Sequence, residues 1–174
     1  MANIKQKITP CLWFDKECEE AMTMYVSLFN NRPGTKNGDS KIVSINRYPE
    51  GAQEGPMKGM GGKVLTAFFE LDGQQFQALD GGPIFKFNEA ISLSIECDGQ
   101  EEVDYFWEKL SAVAESEQCG WVKDKFGLSW QIIPKQMGEM LMDSDKEKAG
   151  RALQAMLQMK KIDIAKLKEA FEGK

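Results

Sequence analysis

The sequence predicts an α+β fold in which two similar modules, each a strand, a helix and three further strands, precede a helical tail. Three observations lead to it. A strand–helix pattern near the start of the chain returns 82 positions later, a glycine-led strand returns 54 positions later, and residues 135–172 show helical spacing. Each module should form a mixed sheet with its helix on one face, and the two half-sheets should enclose a cleft.

The first module starts with alternating side chains over residues 8–14, which predict a strand. Residues 17–29 then carry apolar side chains at helical spacing. Three strands follow at 41–48, 63–71 and 73–79, and a Gly/Pro-rich connection at 49–62 separates the first two. The helical stripe consists of Cys18, Ala21, Met22, Tyr25, Leu28 and Phe29.

The second module repeats this order more tightly. Residues 91–97 predict a strand, and Asp98 with Glu101 has the spacing of a capping box at the start of a helix. Gly73 and Gly127 each open a strand that contains an aromatic–Gln pair. We therefore expect modules at about 4–83 and 88–134, which form one domain over 1–134, and a helical extension of that domain over 135–174. The helical stripe of this module consists of Val103, Phe106, Trp107 and Leu110.

The composition excludes several kinds of function. The 174 residues include no histidine, so imidazole chemistry is excluded. Lys and Arg total 22 against 27 Asp and Glu, without a basic patch that could follow phosphates, so no nucleic-acid partner is expected. No apolar run approaches the roughly 20 residues that span a bilayer, and the N-terminus has no signal-like segment. We expect a cytoplasmic protein that is not bound to a membrane and whose four cysteines are reduced.

Two glutamines are the first candidate ligand-binding residues. Gln77 and Gln131 follow Phe76 and Trp130 at equivalent places in the two modules. Because side chains alternate along a strand, both amides should face the cleft if their aromatic neighbours face the core. An amide offers a donor and an acceptor and could bind a polar ligand. Alternatively, the two glutamines bond each other or the backbone and simply fill the site.

Two tryptophans are candidates for an aromatic wall of the same site. Trp121 lies between Gly120 and Lys123, in surroundings that are mixed rather than purely apolar, and Trp13 lies in the first strand. Trp130 should instead belong to the core, since its neighbour Gln131 is expected to face the cleft.

Asp80 and Cys119 complete the candidate ligand-binding set. Asp80 follows a strand and precedes Gly81, where it could orient a ligand or close a turn. Cys119 could be a reactive thiol, although only Lys123 is near enough in sequence to lower its pKa, or a buried structural cysteine. Asp124 precedes a tight turn, and we interpret it as structural.

Four segments resemble a known family. These segments are Glu19-Glu20-Ala21 with Tyr25, Leu28 and Phe29; Leu79-Asp80-Gly81-Gly82-Pro83; Gln100-Glu101-Glu102-Val103-Asp104; and the long run from Cys119 to Pro134. They are similar to the PhnB-like branch of the vicinal-oxygen-chelate superfamily, which includes glyoxalase, bleomycin-resistance and dihydroxybiphenyl dioxygenase proteins. The resemblance implies paired βαβββ modules. Members of this branch are often labelled 3-demethylubiquinone-9 3-methyltransferase.

The resemblance also locates the positions at which superfamily enzymes hold a divalent metal. Those positions fall near Ile8 or Thr9, at Gln77, near Ala90 and at Gln131. Neutral amides and apolar side chains are poor metal ligands, so no metal and no cofactor are expected. Methyl transfer is not favoured either, because the glycine cluster at 59–62 precedes a strand rather than opening a cofactor-binding helix.

Three functions follow as hypotheses. The first is metal-free binding of an unknown, partly aromatic small molecule by Gln77, Gln131, Trp13, Trp121, Asp80 and Cys119. The second is an enzyme of unassigned reaction in which a carboxylate or cysteine acts on the bound molecule. The third is a homodimeric assembly protein with a vestigial pocket. A homodimer is expected because superfamily members commonly pair modules, and the methionine-rich tail offers adaptable surface: Met137, Met140, Met142, Met156 and Met159.

Overall fold

A computed structural model describes residues 6–36, 38–51 and 58–174, and it divides the chain into two compact units, 1–86 and 87–174. Residues 4 and 5 of the predicted first module lie outside the described residues. So does the 52–57 part of the predicted Gly/Pro-rich connection.

The first unit has the predicted order of one strand, one helix and three strands. Its sheet has the strand order β1-β4-β3-β2, with β1 parallel to β4 and the other neighbours antiparallel. A parallel pair needs a crossover connection, and α1 begins that connection after β1. The elements are β1 (Cys11–Phe14), α1 (Cys18–Asn30), β2 (Lys41–Arg47), β3 (Val64–Leu71) and β4 (Gln74–Asp80).

Helix α1 covers one face of this sheet and builds the core of the first unit. Tyr25 of the helix is fully buried and stacks near Phe69 of β3, at 6.5 Å between ring centroids. Phe69 in turn stacks on Phe76 of β4 at 5.2 Å. Burial alternates along β4, where Phe76 and Ala78 are buried and Gln77 is only half-buried. The predicted alternation of aromatic and glutamine side chains is therefore correct in this strand.

The second unit contains one strand fewer than predicted. Its sheet has the order β5-β7-β6, with β5 parallel and β6 antiparallel to β7. The expected first strand after the helix is replaced by a short 3₁₀ helix, Ala114–Ser116, because residues 111–118 show no alternation of apolar side chains. The elements are β5 (Ser92–Cys97), α2 (Gln100–Leu110), β6 (Trp121–Lys123), β7 (Ser129–Pro134), α3 (Lys135–Leu141), α4 (Lys146–Leu157) and α5 (Ile164–Glu172).

The capping box predicted for α2, made by Asp98 and Glu101, is not the one observed. The N-cap is Gly99, which makes no side-chain capping bond. Because the helix starts one residue later than a box of Asp98 and Glu101 requires, Glu102 takes the third helical position, and its carboxylate accepts a hydrogen bond from the Asp98 backbone N–H at 2.7 Å.

The C-terminal helices form a small core of their own on the second unit. Met137, Ala152, Ile162 and Leu167 are buried there, and Met140, Met156 and Met159 pack around them. Four of the five methionines expected to offer adaptable surface therefore lie in this cluster, whereas Met142 is 85% exposed. Among the described helices, including the 13-residue α1, none has the length and apolar character needed to cross a membrane.

Asp124 fixes the turn between β6 and β7, as the sequence indicated. Its buried carboxylate accepts hydrogen bonds from the backbone N–H groups of Phe126 at 2.9 Å and Leu128 at 3.0 Å. The same carboxylate accepts a third bond, at 2.8 Å, from the indole N–H of Trp130. Trp130 is 1% exposed and belongs to the core, which confirms the expectation for this residue.

Substitution Asp124→Asn should destabilise the fold. The amide that replaces one carboxylate oxygen cannot accept a hydrogen bond, so a buried N–H loses its acceptor at a cost of about 1–3 kcal/mol. Denaturant unfolding measures this loss, and Asp104→Asn is the control because Asp104 forms an exposed ion pair with Lys161. Equal stabilities of the two variants would contradict this role for Asp124.

Candidate functional site

Each sheet has a second face, opposite its helix, on which half-buried polar and aromatic side chains meet. We call the face of the first sheet opposite α1 face A. The strand register places Gln77 of β4 beside Cys11 of β1 on one side and Phe68 of β3 on the other. Cross-strand neighbours share a face, so these three side chains lie together on face A.

Gln77 is held on face A by a hydroxyl of the neighbouring strand. Its Nε2 donates a hydrogen bond to Thr66 Oγ1 at 3.1 Å. Within the described residues its carbonyl oxygen accepts no hydrogen bond, so that oxygen is available to a ligand. A bond from the amide to the backbone, one of the sequence alternatives, does not describe this arrangement.

Trp13 lies further along face A, opposite Leu79 in the register. Its indole N–H donates to the Gly82 carbonyl at 2.9 Å, and its ring meets Phe85 edge-on at 5.0 Å. A Cβ atom on Gly81 would lie 2.1 Å from the Trp13 ring, so glycine is required there for the ring to occupy its place. The structure thus places Trp13 and Gln77 on the same face.

Asp80 belongs to the opposite face of the same strand. It is 1% exposed, and its two oxygens accept hydrogen bonds from the backbone N–H groups of Cys18 at 2.9 Å and Val64 at 3.0 Å. Burial raises the pKa of this carboxyl above its usual value, although both hydrogen bonds act to lower it. The carboxylate joins the start of α1 to the start of β3, and the structure does not bring it together with Gln77.

The second sheet repeats the glutamine arrangement. We call its face opposite α2 face B. Gln131 of β7 is half-buried, and its Nε2 donates to the Ser92 hydroxyl of β5 at 2.8 Å. Trp121 of β6 lies directly opposite Gln131 in the register, so face B also combines a tryptophan with a glutamine. Lys123, two residues after Trp121, forms an ion pair with Glu89.

A buried hydroxyl also belongs to face B. Ser129, two residues before Gln131, is 1% exposed, and its Oγ has no hydrogen-bond partner among the described residues. A buried hydroxyl without a partner is uncommon, and a water or ligand usually satisfies such a group. Sequence reasoning missed Thr66, Ser92 and Ser129, although all three are hydroxyl residues on the strands that neighbour or contain the two glutamines.

Cys119 lies outside both faces, in the tight turn that leads into β6. Gln118 and Trp121 pair as neighbours across this turn, and Cys119 and Gly120 both have positive φ angles, 50° and 87°. The thiol sulfur accepts a hydrogen bond from Gln118 Nε2 at 3.2 Å, while the Cys119 backbone N–H donates to the Met159 carbonyl at 2.8 Å. Through Met159, Cys119 therefore contacts the connection between α4 and α5.

The described residues do not fit a metal site. Among them, no three His, Cys, Asp or Glu side chains are close enough together to hold a metal ion. Gln77 and Gln131 offer neutral amide oxygens at two of the positions where the superfamily's enzymes bind a metal, and Ala90 and Ile8 are exposed apolar residues. A divalent ion prefers carboxylate or imidazole ligands, which these positions lack.

Comparison with known proteins gives two kinds of match. The family model for 3-demethylubiquinone-9 3-methyltransferase matches residues 6–133. A PhnB protein from Bacillus cereus, described by the same methyltransferase name, is 38% identical over 74% of this chain and 99% of its own, with a TM-score of 0.59. A protein from Pseudomonas aeruginosa shares the fold at 18% identity, with a TM-score of 0.54 over 75% of this chain and 98% of its own. No curated protein matches the chain.

The environment of Asp80 predicts an unusual titration. Its carboxyl should release its proton above the ordinary value of 3.8 because burial disfavours the charge, whereas Asp145 and Asp163 should titrate below it because each accepts backbone N–H bonds at a helix start. Between pH 3.8 and its raised folded pKa, the folded state holds a proton that the unfolded chain has released, so the contribution of Asp80 to stability falls as pH rises through this range. A carboxyl ¹³C NMR titration checks the order, and Asp80 titrating with or below Asp145 would contradict it.

Proposed function

The chain belongs to the 3-demethylubiquinone-9 3-methyltransferase family of PhnB proteins, and on that premise we propose that it binds a small, partly aromatic molecule without a metal ion. The observation that carries the proposal is the combination on each sheet of a half-buried tryptophan with a glutamine held by a hydroxyl. On face A these are Trp13, Gln77 and Thr66, and on face B they are Trp121, Gln131 and Ser92.

The chemistry of these groups supports an aromatic ligand with polar hydrogens. The tryptophan rings provide apolar surface for an aromatic ring. Each glutamine gives one amide hydrogen to its hydroxyl partner, which holds the side chain in place and leaves the carbonyl oxygen as an acceptor. A ligand that carries an amide or hydroxyl group beside an aromatic ring matches this pair of features.

Binding without covalent chemistry is favoured by the state of the Cys11 thiol and of the Asp80 carboxyl, both in the first sheet. Burial raises the pKa of the Cys11 thiol, which lies beside Gln77 on face A, so less of its nucleophilic thiolate form is present. Both carboxylate oxygens of Asp80 are engaged by backbone N–H groups on the opposite face. We therefore propose a binding protein rather than an enzyme that uses a cysteine or a carboxylate.

Methyl transfer, which the family name suggests, would require a site for S-adenosylmethionine. The glycine cluster at 59–62 precedes strand β3 (Val64–Leu71), and no helix follows it directly. The two small sheets carry one parallel pair each, and among the described residues one α-helix lies between the strands of each pair. The glycine cluster at 59–62 therefore does not fit the glycine-rich turn that opens a cofactor-binding helix, and no step of methyl transfer is proposed. The homodimer expected from the sequence stays a prediction.

The proposal is tested with benzamide and acetanilide, two small aromatic amides of opposite amide direction, titrated in the presence of a chelator. We expect saturable binding by calorimetry that the chelator does not change. Gln77→Met or Gln131→Met should weaken it about five- to tenfold, because one hydrogen bond contributes about 1 kcal/mol. Methionine keeps the length of the side chain but removes the amide.

Gln154→Met is the matched control, because Gln154 is an exposed residue of helix α4 and belongs to neither sheet. It should bind both amides as the unaltered chain does. Binding that appears only after a divalent metal is added, or that is equally strong in all three variants, would overturn the proposal. So would the absence of binding at millimolar concentrations of both amides.

A further inference from the structure

The C-terminal part of the chain lies beyond the family match. The family model ends at residue 133, and the Bacillus cereus protein covers 74% of this chain while the chain covers 99% of that protein. We call residues 135–174, which contain α3, α4 and α5, the extension. Its contacts with the rest of the second unit include the turn before Trp121, one end of face B and the start of α2.

The extension holds the turn that leads into Trp121. The backbone N–H groups of Cys119 and Gly120 donate to the carbonyls of Met159 and Lys160, each at 2.8 Å. Cys119 has a φ of 50°, a conformation that strains a non-glycine residue and persists only when its surroundings hold it. The two hydrogen bonds provide that hold one residue before β6 begins at Trp121.

The extension also covers one end of face B. Ile133, two residues beyond Gln131 on the same side of β7, packs against the cluster of the extension that contains the fully buried Ile162. A Cβ atom on Gly120 would meet Ile133 at 2.9 Å and Ile162 at 3.4 Å, so these three residues are in close contact. Face B therefore ends at Ile133, whereas Trp121 and Gln131 remain half-buried.

A third group of contacts connects the extension to helix α2. The side chain of Gln100 accepts a hydrogen bond from the Ile164 backbone N–H at 2.9 Å and donates to the Ile162 carbonyl at 3.1 Å. One glutamine thus anchors the residues on both sides of Asp163, the N-cap of α5. These two bonds can be removed without changing the apolar cluster.

We propose that the extension is a specificity-determining element of face B. It fixes the position of Trp121 through the Cys119–Gly120 turn and limits the length of the ligand along β7 by closing the face at Ile133. This inference rests on the proposed binding function. Docking of the extension and ligand binding at face B are then thermodynamically coupled. Docking raises the affinity for the ligand by the same factor by which the bound ligand favours docking.

The position of Trp121 is tested first, without any ligand. The chain has four tryptophans, so 5-fluorotryptophan labelling should give four ¹⁹F resonances, and Trp121→Phe assigns one of them. Ile162→Ala and Gln100→Ala, in the full chain, should shift the Trp121 resonance and speed amide exchange of Cys119 and Gly120 at least tenfold. The Trp13 resonance should not move, which shows that the first unit has remained folded.

Leu153→Ala is the matched control, since Leu153 belongs to the same extension but is 41% exposed. It should leave the Trp121 resonance and both exchange rates unchanged. If Ile162→Ala fails to fold, Gln100→Ala decides the question, because it removes only hydrogen bonds. An unmoved Trp121 resonance with unchanged exchange in Gln100→Ala would overturn the proposal.

Benzamide binding then tests the coupling. Gln100→Ala should weaken benzamide binding to the full chain about fivefold and allow acetanilide, the longer of the two amides, to bind relatively better. Unchanged affinity and unchanged preference would overturn the specificity role even if both amides bind. If neither amide binds the unaltered chain, the proposed function fails, while the ¹⁹F and exchange results still decide whether the extension positions Trp121.

Discussion

The alternation of side chains in β4 and β7 is the constraint on which both candidate faces depend. In each strand a buried aromatic residue, Phe76 or Trp130, is followed by a half-buried glutamine. A slip of one residue would bring the glutamine into the core and expose the aromatic ring, a change that costs several kcal/mol. The stacking of Phe76 on Phe69, and the bond from Trp130 to Asp124, hold the two registers in place.

This constraint explains how each sheet can present a neutral amide, rather than an ionisable side chain, at its glutamine position. Gln77 and Gln131 are neutral, so their partial burial carries none of the desolvation cost of a carboxylate. Asp80 shows that cost on the buried side of β4, where its pKa is raised although two backbone N–H groups bond to it. A neutral amide held by a neighbouring hydroxyl favours recognition of a neutral polar group rather than capture of a metal ion.

Most elements of the fold could be predicted from sequence because their signals are local. Alternation located β4 and β7, helical spacing located α1 and α2, and the turn before Gly127 identified Asp124 as structural. The missing strand of the second unit was mispredicted because its place was inferred from the repeat rather than from residues 111–118 themselves, which show no strand alternation. Thr66 and Ser92 were missed for another reason, since a hydroxyl–amide bond between strands depends on register, which a single strand does not encode. The docking of Met159 and Lys160 on the Cys119–Gly120 turn likewise joins residues about forty positions apart.

The most direct test of metal-free recognition by the glutamines is an NMR titration that follows their side-chain amide groups. The Nε2 groups of Gln77 and Gln131 each donate a hydrogen bond to a hydroxyl, at 3.1 Å and 2.8 Å. With benzamide added in the presence of a chelator, we expect progressive shifts of the Gln77 or Gln131 side-chain amide signals together with the indole signal of Trp13 or Trp121. Shifts confined to other residues, with all four of these side chains unmoved, would contradict it.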